Sequence, residues 1–430
     1  MKVLCASQMG SSTALGQPMR AIAIAKALQR RGNRVKFLAS GKLAAVVRNH
    51  GLEVIPLPEL PEIDFQFGGG PDRDERRQEE RLAQFKQSIA ATTEAEQAAL
   101  AVERPDVLLC GSPLSIHTAK KAGIPCVLAI LQPHGQKTLR FFKEKMAAGQ
   151  SQTGRYLSDL MRALDPKLAD AGPAGLQTLL GEGLDLIFIE GMPEIGGAID
   201  LGATEAEWFA KMKDKVRFTG PLLAEDPRDL PEQAELKQRH GGDPAKPLVY
   251  VTIGGGTSLI GEEFLHLVLE TFRRLPEING VIATGLALPP EELAKYRPPA
   301  NLSIRGFVPG TELIKASDLT VFHGGSSTLM TCIACGRPAL IIPSMAEQED
   351  NGMVLAQHGA GIVLDKKELT QEILEEAIRK VLGEPGYREK ALQLKALGEK
   401  YGGPDRAAAL VEELVRERGL VHAGPDFSGR

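Results

Sequence analysis

Residues 318–364 read DLTVFHGGSSTLMTCIACGRPALIIPSMAEQEDNGMVLAQHGAGIVL. Leu319–Phe322 is an apolar run of strand length, and His323-Gly324-Gly325-Ser326-Ser327-Thr328 follows it directly. The apolar helix predicted at Leu329–Cys335 is stopped by Gly336-Arg337-Pro338, because glycine and proline end helices for conformational reasons. Ala339–Ile342 predicts the next strand, and Pro343-Ser344-Met345-Ala346-Glu347-Gln348-Glu349-Asp350-Asn351 opens a second helix that runs to about His358. Gly359-Ala360-Gly361 then leads into a further strand. Strands alternating with helices of this length imply βαβ units and a parallel sheet covered on both faces.

The same alternation runs outward in both directions. Lys2–Ala6, Arg34–Ala39, Asp106–Cys110, Pro125–Ile130 and Val216–Thr219 predict strands, with helices at Pro18–Arg31 and Ser115–Ala122 between them. Residues 224–246 are polar and carry Asp226-Pro227, Leu230-Pro231, Gly241-Gly242 and Asp243-Pro244, the composition of a linker. After it the pattern restarts with Leu248–Ile253 and Gly254-Gly255-Gly256. Asp72–Glu103 mixes both charge signs and reads as a solvated helical face. Residues 133–180 have weak periodicity and read as a helical excursion from the sheet.

Composition narrows the classes. The chain has 430 residues, and 51 Lys+Arg against 55 Asp+Glu leave a formal net charge of −4, without the basic surplus of a general nucleic-acid binder. Gly 46 and Pro 28 follow no period, which removes collagen-like architectures. No apolar run approaches the ~18–20 residues of a membrane helix. Five cysteines in a chain this long argue against a disulfide framework, and the expected compartment is the cytoplasm. Lys137, Arg140, Lys143 and Lys145 around Phe141-Phe142 leave peripheral membrane contact open. Cys332 and Cys335 are spaced as a C-x-x-C, but no second pair lies nearby, and core packing is the expectation.

The chemistry concentrates after the Leu319–Phe322 strand. Gly324 and Gly325 let the backbone turn sharply and approach a ligand. Ser326, Ser327 and Thr328 sit where a helix begins, with free amides, a favourable dipole and hydroxyl donors, which suits a phosphate. His323 can donate from its ring to the same anion. Glu347, Gln348 and Asn351 offer paired acceptors and donors that fit sugar hydroxyls.

On these residues the sequence resembles the nucleotide-sugar glycosyltransferases of the family 1 type, with kinship to family 28. The pattern is carried by His323, Gly325, Thr328, Gly336, Pro338, Glu347, Gln348 and Asn351. Arg305–Pro309 resembles the segment that reads the nucleotide base, Val249–Thr257 the first strand and phosphate-side loop of the donor domain, and Gly402–Leu414 the closing helix. The resemblance implies the α/β GT-B architecture, two Rossmann-like domains whose parallel sheets face a central cleft. Its expected parts are an acceptor domain at 1–224, a linker at 225–246, a nucleotide-sugar domain at 247–403, and a helix and tail at 404–430. It further implies phosphate contacts from Gly255, Thr257, His323, Gly325, Ser326, Ser327 and Thr328. Phe307, Val308 and Thr331 fall at the base and ribose, and Glu347, Gln348 and Asn351 at the donor sugar. Thr331 stands where the family usually has a glutamate. Ser11 and Ser12, in the polar loop after the first strand, would face the acceptor.

One departure concerns the proton. An inverting transfer needs a base for the acceptor hydroxyl, and the family supplies a histidine or aspartate at the start of its first helix. Gln17 stands there, and a side-chain amide accepts no proton near neutral pH. His134, after a first-domain strand, is the best relocated base; His117 is a poorer one. The expected activity is transfer of a sugar from a UDP- or dTDP-linked donor to a hydroxyl of a small-molecule or lipid acceptor, without metal or bound cofactor. The alternatives are a non-catalytic nucleotide-sugar-binding sensor or auxiliary protein and, less well matched, a nucleotide-sugar epimerase. Oligomeric state is not written in these patterns.

Overall fold

The structure, a computed structural model, describes residues 1–6, 16–58, 75–132, 134–138, 140, 162, 164–170, 173–197, 207, 210–252, 262–284, 295–306 and 308–419. Gly255, Thr257, Phe307, Ser11 and Ser12 lie outside these residues, as do Lys143, Lys145 and Phe141-Phe142.

Thirteen strands form two sheets among the described residues. The first contains β1 (Lys2–Ala6), β2 (Arg34–Ala39), β3 (Glu53–Pro56), β4 (Val107–Cys110), β5 (Cys126–Leu131), β6 (Leu186–Glu190) and β7 (Val216–Gly220). Its spatial order is β3-β2-β1-β4-β5-β6-β7, and neighbouring strands are parallel. The second contains β8 (Leu248–Thr252), β9 (Asn279–Ala283), β10 (Leu302–Arg305), β11 (Leu319–Phe322), β12 (Ala339–Ile341) and β13 (Gly361–Val363), ordered β10-β9-β8-β11-β12-β13 and likewise parallel. In each sheet the order reverses beside the first strand of the unit, with β1 paired to both β2 and β4 and β8 paired to both β9 and β11. Clefts at the carboxyl ends of the strands form at such reversals.

The strand sequences explain the layering. VLLC in β4 and LIFIE in β6 are buried at every position, as strands covered on both faces must be. One apolar layer on the first sheet joins Val3, Phe37 and Phe188 to Ile22, Ile24 and Leu28 of the Gly16–Arg30 helix and to Val411 and Val415 of the Gly403–Glu417 helix. The chain's last helix thus returns to the first sheet. The opposite layer joins Leu4, Leu108 and Ile187 to Ala99 and Leu100 of the Glu75–Glu103 helix. The second sheet is enclosed by two further clusters around Phe322 and Phe272.

Several boundaries differ from the sequence reading. The Ser326–Cys335 helix starts three residues before the apolar run, because its first turn is polar rather than apolar. Within 225–246 the chain forms a Gln233–Arg239 helix docked on the second sheet's core through buried Leu236, with Lys237 paired to Asp318 at 2.7 Å. The Glu75–Glu103 helix has a buried side as well as a solvated one: Ser88, Thr92 and Glu96, spaced one turn apart, are 2 %, 4 % and 2 % exposed. No helix among the described residues is long and apolar enough to cross a membrane.

Burial pushes the Glu96 carboxyl up to about 7, and hydrogen bonds from Ser115 and Thr118 offset only part of that cost. The folded pKa lies above the unfolded one, so the contribution is favourable below the unfolded value and lost as pH rises through about 7. Glu96→Gln removes the ionisation. The variant is expected to gain roughly 2–3 kcal/mol relative to wild type on going from pH 5 to pH 8. Urea unfolding at the two pH values measures it; an equal difference at both would place the carboxyl's pKa near its ordinary value.

Candidate active site

The turn after β11 is built by glycine. Gly324 has φ +93°, and a Cβ there would lie 2.5 Å from the Gln348 carbonyl oxygen, so only glycine fits. Gly325 occupies the cap position of the Ser326–Cys335 helix and supplies no side-chain cap, and no acidic residue stands in the first turn. Among the described residues, no side-chain cap and no first-turn acid compensates the leading amides and the positive end of the helix dipole. Ser326 and Thr328 are half-buried and Ser327 is exposed. His323 reaches over the same turn: a Cβ on Gly325 would come within 2.7 Å of its Nε2. Burial lowers the His323 pKa, and its Nδ1 has no hydrogen-bond partner. The arrangement is of the kind that suits an anion, with an imidazole at its edge whose neutral form burial favours.

The next βα turn braces this one. Asn351, 2 % exposed, donates from Nδ2 to the Gly324 carbonyl (2.9 Å) and to Glu347 Oε1 (3.2 Å). Gln348, 4 % exposed, accepts from the Ser344 amide at 2.9 Å. Asn351 thereby ties the two turns together, Gln348 fixes the turn it belongs to, and Glu347 stays half-buried beside them. Thr331 is buried, and its hydroxyl donates to the Ser327 carbonyl one turn back at 2.8 Å. Val308 packs partly buried against the second sheet's core. Cys332 and Cys335 are buried in that same core, and burial pushes both thiols up, Cys335 to about 12.

The first sheet brings its own helix start to this place. A Cβ on Gly16 would lie 4.0 Å from Ser327 Oγ, so the Gly16–Arg30 helix begins against the start of the Ser326–Cys335 helix. Gln17 is on this turn, half-buried, and its Nε2 is without a partner. One turn on, Arg20 forms a buried ion pair with Glu190 at the end of β6, Nε to Oε2 at 2.6 Å. Arg20 Nη2 is 3.4 Å from Ser326 Oγ, and Glu190 Oε1 accepts from the Leu222 amide at 2.9 Å.

The segment after β5 docks on the Ala346–Gln357 helix of the second sheet. Asp350 Oδ2 accepts from both the Thr138 amide (2.7 Å) and the Thr138 hydroxyl (2.6 Å), and Lys137 pairs with Glu349. Gly135 is tight against Asp350, where a Cβ would lie 2.3 Å from Oδ1. His134, 5 % exposed, is anchored by its carbonyl to the Gly197 amide, while neither ring nitrogen has a partner. Burial lowers its pKa to about 4, a shift that the nearby Asp350 carboxylate partly opposes. His117, also buried, belongs to the Pro113–Ala122 helix; burial, then Lys121, lowers its pKa.

Arg20, Glu190 and Asp350 were not singled out from the sequence. A lone arginine within the apolar run of its helix, and a glutamate closing the apolar strand LIFIE, are the signals that carry the first two. Asp350 is one of the unspecified positions between Gln348 and Asn351, and only the packing of Thr138 against it shows its use.

Two facing parallel sheets with this cleft define the class: a two-domain protein of the GT-B fold. Residues 283–414 match the family described as erythromycin biosynthesis protein CIII-like, C-terminal domain. NDP-glycosyltransferase YjiC of Bacillus subtilis (strain 168) is 28 % identical over 204 residues, 47 % of this chain and 49 % of that protein. An uncharacterized glycosyltransferase of Methanosarcina acetivorans is 31 % identical over 211 residues, 48 % of this chain and 52 % of its own length. The chain spans about half the length of the curated relatives it matches. Among solved structures, the calicheamicin glycosyltransferase CalG4 superposes with a TM-score of 0.69 at 19 % identity, covering 96 % of this chain and 98 % of that one. Spinosyn rhamnosyltransferase SpnG complexed with thymidine diphosphate gives 0.64 at 21 % identity, covering 96 % and 100 %.

The His134 environment sets a pH dependence. Its folded pKa of about 4 lies below the unfolded value, so between the two the unfolded chain binds more protons and stability falls as pH falls. Wild type is expected to lose roughly 2–3 kcal/mol from this group between pH 7 and pH 4.5. His134→Asn is expected to show a correspondingly flatter profile in urea unfolding. Identical profiles would mean that the imidazole titrates near its ordinary value.

Proposed function

We propose that the chain is a glycosyltransferase that moves a sugar from a UDP- or dTDP-linked donor to a hydroxyl of a small-molecule or lipid acceptor, with inversion. The observation that carries this reading is the uncapped start of the Ser326–Cys335 helix beside His323, at the carboxyl end of β11 and facing the first sheet's helix start. SpnG, a structural neighbour, is described in complex with thymidine diphosphate, which supports a nucleoside diphosphate as the occupant. In this reading residues 247–403 hold the donor, residues 1–224 the acceptor, and residues 404–430 close the second part onto the first. His323, Gly325, Ser326, Ser327 and Thr328, with Gly255 and Thr257, meet the phosphates. Phe307, Val308 and Thr331 line the base and ribose, and Ser11 and Ser12 the acceptor. Glu347, Gln348 and Asn351 meet the donor sugar, with Asn351 Nδ2 also bonded to Glu347. No metal is required, since helix amides and hydroxyls meet the phosphate charge. All five cysteines are free, which fits a reducing, cytoplasmic setting.

Chemically, the acceptor oxygen attacks the anomeric carbon while the bond to the diphosphate breaks. The departing electron pair is stabilised where the helix amides converge. The proton is the open part. His134, kept neutral by burial, can accept one, and the Asp350 carboxylate would favour the resulting imidazolium. Gln17 orients the acceptor. A second reading, a nucleotide-sugar binder without efficient transfer, is favoured by the amide at position 17 and by the seclusion of His134.

Thermal unfolding with UDP, dTDP, GDP and ADP tests the donor site. At about 100 times its Kd a ligand adds roughly 2.7 kcal/mol, a clear rise in Tm. UDP or dTDP is expected to give the selective shift, and Thr328→Ala or His323→Ala to weaken binding about 10- to 100-fold. No shift with any nucleotide would overturn the donor reading.

Product analysis tests the base. His134→Ala is expected to lower kcat about 100-fold or more, with nucleotide affinity retained. Unchanged turnover in that variant, with a gain in Gln17→His, would instead mean that wild type works without a base. Absence of product from wild type and from Gln17→His alike would favour the binder.

A further inference from the structure

We infer that Arg20 is the first sheet's contribution to the phosphate site, a guanidinium that reaches across the cleft to the diphosphate of the donor. The inference rests on the donor reading above and adds a residue that the family pattern does not supply.

Arg20 is 5 % exposed on a helix that is otherwise Pro, Ala, Ile and Leu on its buried side. A guanidinium in that setting needs a partner, and Glu190 provides one at 2.6 Å. That pairing uses the Nε–H of a group with five donors. Nη2 points to Ser326 Oγ at 3.4 Å, a long contact. Nη1 lies 3.9 Å from the place a Gly16 Cβ would occupy, and Ser327 Oγ lies 4.0 Å from that same place. The outer edge of the guanidinium therefore faces the first residues of the Ser326–Cys335 helix, and glycine at position 16 places no side chain between them. Glu190 cannot swing into that gap, because its other oxygen is held by the Leu222 amide at 2.9 Å.

The electrostatics identify the occupant. A cation aimed at a helix N-terminus faces the positive end of the dipole, which is unfavourable. Here no acidic side chain stands in that first turn and no side chain caps it. Arg20 and the helix amides become mutually favourable only when they share an anion. A diphosphate fits, since two phosphates present oxygens to donors on both sides of the cleft at once. When the bond from the anomeric carbon to the phosphate oxygen breaks, its electron pair stays on the phosphate and the negative charge there rises. A guanidinium fixed by Glu190 then stabilises the departing group more than the bound donor, and so acts on kcat as well as on affinity.

The test is calorimetric titration of UDP, dTDP, uridine, thymidine and inorganic pyrophosphate into wild type and Arg20→Gln/Glu190→Gln. The double variant removes both charges, so that neither is left buried alone, and its fold is checked by circular dichroism and Tm. Diphosphates and pyrophosphate are expected to bind about 10- to 100-fold more weakly to it, while nucleoside binding is unchanged. The salt dependence of diphosphate binding is expected to flatten. Arg20→Lys keeps the charge without the fork and is expected to fall between the two. Diphosphate and pyrophosphate affinities equal to wild type, or an equal loss for nucleosides, would overturn the role of Arg20. Wild type binding pyrophosphate but no nucleotide would overturn the nucleotide-sugar reading while leaving Arg20 an anion ligand. Wild type binding neither would overturn both.

Discussion

Parallel strand pairing is the constraint from which the rest of the molecule follows. A parallel neighbour is reached only by a crossover, so every strand of both sheets ends at the same edge as its neighbours. The helix start that follows β1, the segment after β5 and the end of β6 in one unit, and the turns after β11 and β12 in the other, are where backbone groups and polar side chains surface. They are also where the two units touch. Arg20, Glu190 and His134 belong to the first set, and His323, Ser326 and Asp350 to the second. The layers behind them are mostly Val, Leu, Ile, Phe and Ala, with Glu96, Ser115 and His117 as buried polar exceptions on the first sheet.

The two sides of the cleft differ in electrostatic character. The second sheet presents a helix start with no acid in its first turn and a histidine that burial keeps neutral. The first sheet contributes a cation neutralised from behind by Glu190. It also buries Glu96 and His134, whose pKa values are displaced in opposite directions, so that the neutral form of each is favoured. The uncapped start of the Ser326–Cys335 helix and the outer edge of the Arg20 guanidinium thus meet between the two helix starts. Other charges of the first sheet, such as Lys36 with Glu53 and Glu103, are paired away from this place.

Much of this was legible in the sequence because it depends on local patterns. Strand and helix alternate with the expected period, and β1 and β2 fall where the apolar runs of Lys2–Ala6 and Arg34–Ala39 place them. The glycine turn before Ser326 could be read because its backbone geometry allows few residues. Side chains used across the cleft were harder. Asp350 and Thr138 are far apart in sequence, and no period or spacing links them. Asn351 reads as a ligand for hydroxyls, yet its amide spans two turns inside the protein. The Gln233–Arg239 helix was hidden by the prolines and glycines around it, since composition signals chain breaks without saying what short element lies between them.

Among the described residues the chain passes between the two units after β7 and again between the Pro385–Glu399 and Gly403–Glu417 helices. These passages lie back to back. A Cβ on Gly220 would be 2.6 Å from the Gly398 carbonyl oxygen, one on Gly398 would be 3.2 Å from Pro221 Cδ, and one on Gly403 would be 3.2 Å from the Pro221 carbonyl oxygen. Two ribbons laid flat against each other behave mechanically as one strap. They bend readily about the line they share and resist twisting or sliding, because either motion would drag glycine backbone into glycine backbone. A relative motion of the two units would therefore meet least resistance as a swing about that shared line.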